Sequence, residues 1–303
     1  MSRRSWVLFA AMCVIWGLPY LLIRVAVRQL SPADLVFART AIGTLLLLPV
    51  AVKRGVLPGL RGHWRWLVAY TAVELTIPWF LLSKAEEHLP SSLAGLLVAA
   101  VPLVGIGLTR LLGIAESMTP QRWAGLVVGI AGVASLVGLQ VGNIDMVSVL
   151  EVFAVSVGYA TGPLILTHRL QGAPGLAVVL ASLGITAVVY APFALTNPPH
   201  HIGAEVAWSV AGLAVVCTAL AFLVFFALIA DIGPTRATVI TYVNPAVAIA
   251  LGVAVLGEHL TAGMIVGFPL VLIGSVLATS HPRAAPGGRA AEPALEEPLV
   301  TPG

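Results

Sequence analysis

Ten runs of about twenty apolar residues, joined by short connections, leave this chain few ways to fold. A helix that crosses the hydrocarbon of a bilayer needs roughly 20 mostly apolar residues. In the first half the runs predict spans over Trp6–Val27, Ala33–Val52, Trp64–Leu82, Ser91–Leu112 and Gln121–Leu139. In the second half they predict Met146–Leu166, Gly175–Leu195, Glu205–Ile229, Thr235–Leu256 and Ala262–Thr279. Turn residues fill the connections, as in Leu30-Ser31-Pro32, Leu89-Pro90-Ser91, Thr196-Asn197-Pro198-Pro199 and Asp231-Ile232-Gly233-Pro234. The runs lack the strict alternation of barrel strands, so the expected class is an all-α membrane protein with ten transmembrane helices. The first run is too long for a signal-peptide core and no small-residue cleavage site follows it, so it reads as the first span.

Composition agrees. Hydrophobic residues make up 59% of the 303 and charged residues only 10%, against roughly 25% charged in soluble domains. This excludes an ordinary soluble enzyme, a disordered chain and a nucleic-acid binder. The net charge of +3 comes from basic residues in the connections, where they report membrane orientation. With the N-terminus inside, the inner segments hold Arg3, Arg4, Lys53, Arg54, Arg61, Arg65, Arg110, Arg122, Arg169, Arg236, Arg283 and Arg289. The outer ones hold Arg24, Arg28 and Lys84, and Arg39 falls within the second span. Twelve against three places both termini in the cytoplasm. The stretch 281–303, rich in Pro, Ala and Gly, reads as a disordered cytoplasmic tail. Cys13 and Cys217 lie inside apolar runs and read as packing residues, and no metal-ligand spacing occurs.

An internal repeat organises the spans. Glu116, Thr119, Gly125 and Gly132 have the spacing E-x2-T-x5-G-x6-G, and Glu258, Thr261, Gly267 and Gly274 repeat it 142 residues on. Pro102 precedes the first set by 14 residues and Pro245 the second by 13. Pro19 and Pro163 sit early in spans one and six. The expected units are 1–140 and 141–280, each of five spans. Five is odd, so the second enters the membrane from the opposite side, the inverted repeat of many secondary transporters. Thr119 and Thr261 are suited to cap spans five and ten, with the preceding glutamates favouring the same helix ends. Gly125 with Gly129, and Gly263 with Gly267, are small-xxx-small pairs that permit close helix packing.

These features resemble the drug/metabolite transporter superfamily, in particular its EamA-type ten-helix group. The resemblance rests on Trp16-Gly17, the Arg39 position, Pro102 with the first motif set and Pro245 with the second, and covers about Trp6–Thr279. It implies two inverted five-helix repeats around a central cavity, and export of small metabolites, amino acids among them. Tyr159-Ala160-Thr161 stands where a second Trp-Gly pair is expected, so the halves differ at that point.

Ionisable residues inside spans suggest function. Glu74 lies in the middle of span three with Pro78 one turn on; it is a candidate to carry a coupling proton or to bind a substrate ammonium, against the alternative of a neutral packed acid. Arg39 is two turns into span two, a candidate anchor or gate, a partner for Glu74, or a contact for a substrate carboxylate. Trp16, Trp79, Tyr159, Thr161, Tyr242 and Asn244 are candidate cavity residues. Pro19, Pro78, Pro102, Pro163 and Pro245 are candidate hinges. Arg24 and Glu151 read as snorkelling residues near span ends, and Glu86, Glu87, His88, His200 and His201 as solvated loop residues. Trp64, Trp66, Trp123 and Trp208 read as interface anchors. No P-loop, G-x-S-x-G or H-E-x-x-H motif is present. The expected function is a secondary exporter of small polar metabolites in a bacterial plasma membrane, not an enzyme. Its expected partners are a small-molecule substrate and the lipid bilayer, with no cofactor, metal, nucleic acid or obligatory protein partner. Drugs, sugars, nucleobase-like metabolites and lipid-linked sugars are the alternative cargoes.

Overall fold

A computed structural model describes residues 2–60, 62–113, 118–139, 144–196, 199, 201–237 and 239–279. Glu116, His200 and the tail over 281–303 lie outside the described residues, as does the expected boundary at 140–141. Among the described residues every regular element is helical. The ten helices are α1 (Arg3–Ala26), α2 (Pro32–Lys53), α3 (Trp64–Ala85), α4 (Ser91–Leu111), α5 (Pro120–Gly138), α6 (Met146–Arg169), α7 (Gly175–Thr196), α8 (Ala204–Ile232), α9 (Ile240–Leu256) and α10 (Ala262–Thr279). All except α9 are long and apolar enough to cross a membrane. The expected ninth span began at Thr235; instead a separate turn over Pro234–Ala237 precedes a helix of 17 residues.

Local sequence explains the helix starts. Ser31 and Asp34 form a capping box at α2, with Pro32 in the first turn where its missing N–H is no loss. The Thr119 hydroxyl accepts from the Arg122 N–H at α5, and the Thr261 hydroxyl from the Met264 N–H at α10. The glutamate beside Thr261 acts elsewhere than expected. The Glu258 carboxylate accepts from the Ser91 N–H at 2.7 Å and the Ser92 N–H at 3.0 Å, and from both serine hydroxyls. It therefore caps α4, in the other half of the chain, rather than its own helix. The chain can turn back this way because Gly257 ends α9 in the left-handed region, at φ 66°. Gly252 leaves room below, since a Cβ there would meet the Glu258 carboxylate and the Ser91 hydroxyl.

The helix pairs follow a twofold pattern. α2 packs on α7, α5 on α10 and α4 on α9, each a pair of equivalents. α1 packs on α8 and α9, as α6 packs on α3 and α4. The α5–α10 contact runs almost backbone to backbone. A Cβ on Gly125 would meet the Ala278 N–H and the Gly274 carbonyl, and one on Gly267 the Gly132 carbonyl at 2.8 Å. A Cβ on Gly263 would stand 2.7 Å from the Ser135 carbonyl, whereas Gly129 mainly makes room for Leu103 of α4. Without a hydrophobic force between helices in lipid, such close approach supplies the dispersion contact that holds them. Outward faces carry bare apolar side chains, with Leu45 68% and Val188 73% exposed, as lipid contact requires.

Three spans depart from regular α-helix. α3 widens into a π turn over Ala72–Thr76, and α8 does so over Gly212–Leu220. These spans are equivalents in the two halves. Pro78 explains the first: it has no N–H, and its ring crowds the carbonyl four residues back, at Glu74. α4 breaks at Ala99–Ala100, just before Pro102. By contrast α1, α6 and α9 continue as α-helix through Pro19, Pro163 and Pro245. Pro102 and Pro245 thus match in position but not in local geometry.

Substituting Gly274 by Ala puts a methyl group against the α5 backbone at Gly125 and Gly129 and is expected to cost about 1–3 kcal/mol. Gly107 of α4 has open space around its Cβ direction, so Gly107→Ala should leave stability equal or raised by up to about 1 kcal/mol. Thermal unfolding of the two variants in one detergent distinguishes them.

Candidate functional site

The π turn of α3 positions Glu74. Its carboxyl is pressed against α6 at Gly162, where any Cβ would collide with it. One turn away, Gly158 admits the Val73 carbonyl and the Pro78 ring. This glycine pair is a small-xxx-small pattern that sequence reading passed over, although it has the same form as Gly125 with Gly129. The residue as a whole is half-buried, yet Glu74 Oε2 is out of contact with solvent and has no hydrogen-bond partner. A group of this kind at membrane depth is energetically exposed to any change that brings it a proton, a cation or water.

Helix α7 holds the widened turn in place. Tyr190 donates from its hydroxyl to the Thr76 carbonyl at 2.9 Å, which supplies a partner for a backbone group of the π turn. The Thr76 and Thr186 hydroxyls lie 2.8 Å apart, and Thr71 donates to Ser182 at 2.8 Å. Ser182, Thr186 and Tyr190 follow at intervals of four, one polar stripe on an otherwise apolar helix.

A contact at the other π segment holds Arg39. Its guanidinium lies over the Trp79 ring, 3.7 Å from the centroid, and its Nε–H donates to the Thr218 hydroxyl at 2.9 Å. Thr218 belongs to the π segment of α8 and donates in turn to the Leu213 carbonyl, five residues back. Gly43, one turn beyond Arg39, makes room for the Thr218 methyl, 3.0 Å from where a Cβ would stand. So each π segment is braced by a polar side chain from the opposite half of the chain. The suggested ion pair between Arg39 and Glu74 does not form; among the described residues Arg39 has no carboxylate within 4.0 Å. Instead Tyr159 stands within interaction range of Glu74, Arg39 and Trp79 together.

Of the eight candidate cavity residues, four therefore converge: Arg39, Glu74, Trp79 and Tyr159. The other four make their contacts apart from that group. Thr161 donates to the Val157 carbonyl of its own helix. Trp16 packs against Phe222 and Phe225. The Tyr242 hydroxyl is 3.2 Å from that of Thr279. Asn244, with its amide nitrogen towards the carbonyls, donates to Ile240 at 2.9 Å and to Cys13 of α1 at 3.2 Å. A cleft of about 420 Å³ lined by Ser31, Asp34, Phe80 and Phe193 lies elsewhere, at one end of the bundle.

Two residues read as snorkelling are tied to protein. Lys84 and Glu151 form an ion pair at 2.8 Å. Arg24 donates to the Glu86 and Glu87 carbonyls at the end of α3, a cation at a helix C-terminus. Glu86, read as a solvated loop acid, is fully buried. The tryptophans at span ends do lie exposed, Trp64 at 66% and Trp208 at 77%, while Trp66 also carries the Arg169 guanidinium 4.6 Å from its ring.

Comparison with known proteins adds the biological frame. The model of the EamA-like transporter family matches residues 4–138 and again 146–280. The uncharacterized inner membrane transporter YedA of Escherichia coli K12 is 29% identical over 293 residues, covering 91% of this chain and 93% of its own. The uncharacterized transporter YvbV of Bacillus subtilis 168 is 25% identical, covering 93% and 94%. A protein of Salmonella typhimurium LT2 described as a probable amino-acid metabolite efflux pump is 24% identical, covering 90% and 94%. One crystal structure superposes with a TM-score of 0.65 at 21% identity, covering 92% of this chain and 97% of that one, which shows the fold.

Replacing Arg39 by Lys keeps the charge but loses the planar group over Trp79 and the Nε–H to Thr218. The expected loss is about 2 kcal/mol of unfolding stability, the scale of a hydrogen bond to a charged group. A double-mutant cycle with Thr218→Val should show the two changes to be strongly non-additive; additive effects would mean the contact carries no weight.

Proposed function

The chain belongs to the EamA-like transporter family, and from that premise we propose that it is a secondary exporter of small polar metabolites, foremost amino acids and their relatives. It works by alternating access across a bacterial plasma membrane, with both termini in the cytoplasm. The excess of Lys and Arg in alternate connections supports that orientation. Similarity to an inner membrane transporter and to a protein named as an amino-acid metabolite efflux pump supports the membrane and the cargo class.

One observation carries the reading of the site. A carboxyl group in one π segment and the guanidinium that braces the other sit at span depth, share Tyr159 as a neighbour, and are not paired with each other. A zwitterion presents the complementary groups, a carboxylate for Arg39 and an ammonium for Glu74, with Trp79 and Tyr159 beside them. Glu74 is also the group placed to carry a coupling proton, because its Oε2 has no other partner. The cargo is a small molecule, the surroundings are lipid, and neither nucleic acid nor an obligatory protein partner has a role.

Liposomes containing only this protein test the reading with a labelled amino-acid panel, with and without a pH gradient. The expected result is flux above empty liposomes, accelerated by the gradient. Glu74→Gln should abolish the acceleration. Unchanged pH dependence in that variant would remove Glu74 from coupling, and no flux for any amino acid from folded protein would move the cargo to another metabolite class.

A further inference from the structure

A second acid, outside the Glu74 site, has no role in that reading. Glu86 caps the end of α3, is 0% exposed, and neither of its carboxyl oxygens has a hydrogen-bond partner. It lies where the two halves meet at one end of the bundle. From α1 come Tyr20 and Arg24, with Arg24 bound to the Glu86 carbonyl rather than to its carboxyl. From the turn between α9 and α10 comes Glu258, whose carboxylate is fully engaged in capping α4 at Ser91 and Ser92. On its own element, Lys84 is paired with Glu151, and Glu87 and His88 are exposed. Ile23, Ala26, Leu89, Leu93 and Leu97, from the same stretches of chain, belong to one buried apolar cluster. A carboxyl without a single donor, next to a carboxylate that has four, is not built to hold a charge.

We propose that Glu86 is a proton-binding site that latches this end of the bundle: with α1, α3, α4 and the α9–α10 turn closed together it holds a proton, and when they part it meets water and releases it. Burial raises the Glu86 carboxyl well above the usual carboxylate range; Arg24 opposes the shift and Glu258 adds to it. The closed form therefore binds a proton more tightly than the open form, whose glutamate is solvated and titrates in the ordinary carboxylate range. Closure is favoured at low pH and weakened as pH rises towards the closed-form value, by about tenfold in the open-to-closed ratio per pH unit. The proton comes from and returns to the same side, so the site senses pH there and does not require Glu74.

Thiol labelling reads the latch. In a Cys13→Ala, Cys217→Ala background, Leu93→Cys places one thiol beneath the closed contact. Its labelling rate is divided, at each pH, by the rate for the same cysteine variant carrying Glu86→Gln, which removes the pH dependence of the reagent itself. The expected ratio rises about tenfold per pH unit above the solvated value, and it keeps that slope in Glu74→Gln. A flat ratio overturns the proposal, and so does loss of the slope in Glu74→Gln, which would make Glu74 the sensor. Where Glu86→Gln does not fold, hydrogen–deuterium exchange over residues 86–96 of the unmodified chain decides. Protection that falls with pH after correction for intrinsic rates is expected, and pH-independent protection overturns the proposal.

Discussion

Within hydrocarbon there is no water to satisfy a backbone N–H or carbonyl, so each must find its partner in the chain. The places where regular helix fails are therefore where side chains do their most specific work. Pro78 loosens α3, and Tyr190 reaches across to the Thr76 carbonyl. α8 widens, and Thr218 turns back to Leu213 while holding Arg39. α3 ends, and Arg24 takes up two carbonyls; α4 begins, and Glu258 takes up two N–H groups. Except at Leu213, each repair is made by a residue from outside the helix concerned, so satisfying the backbone also fixes which elements are neighbours.

That rule distributes the charges. Arg39 is tolerable at depth because the Trp79 face and the Thr218 hydroxyl replace part of its hydration. Glu258 is tolerable because four donors surround it. Glu74 and Glu86 have no such company. The contrast separates carboxyls supplied with donors from those without them, and one of the latter lies within the spans and the other at their end.

Much of this was legible in the sequence, and what was not has physical reasons. Runs of apolar residues gave the helices because span length is set by the bilayer and barely by context. The motif spacing located Thr119 and Thr261 as caps, since capping is local. Arg39, Glu74, Trp79 and Tyr159 stood out because polar or aromatic groups are conspicuous against an apolar background. Their partners were not legible. Nothing local joins Thr218 to Arg39, 179 residues away, or Glu258 to Ser91, 167 residues away. Glu86 looked solvated because burial of a loop residue depends on what covers it. The Ser182-Thr186-Tyr190 stripe and the Gly158-Gly162 pair were visible as spacings, and a systematic search for polar and small residues at helical intervals would have found both.

The glycine seam between α5 and α10 has a bearing on how the molecule is made. A nascent chain emerges from its N-terminus, and α5 enters the membrane long before its counterpart, the last span, exists. During that interval the face bearing Gly125 and Gly132 has no α10 backbone against it. Maturation of the first repeat therefore waits for the final helix. A chain stopped before α10 leaves the fifth span with its glycine groove unfilled.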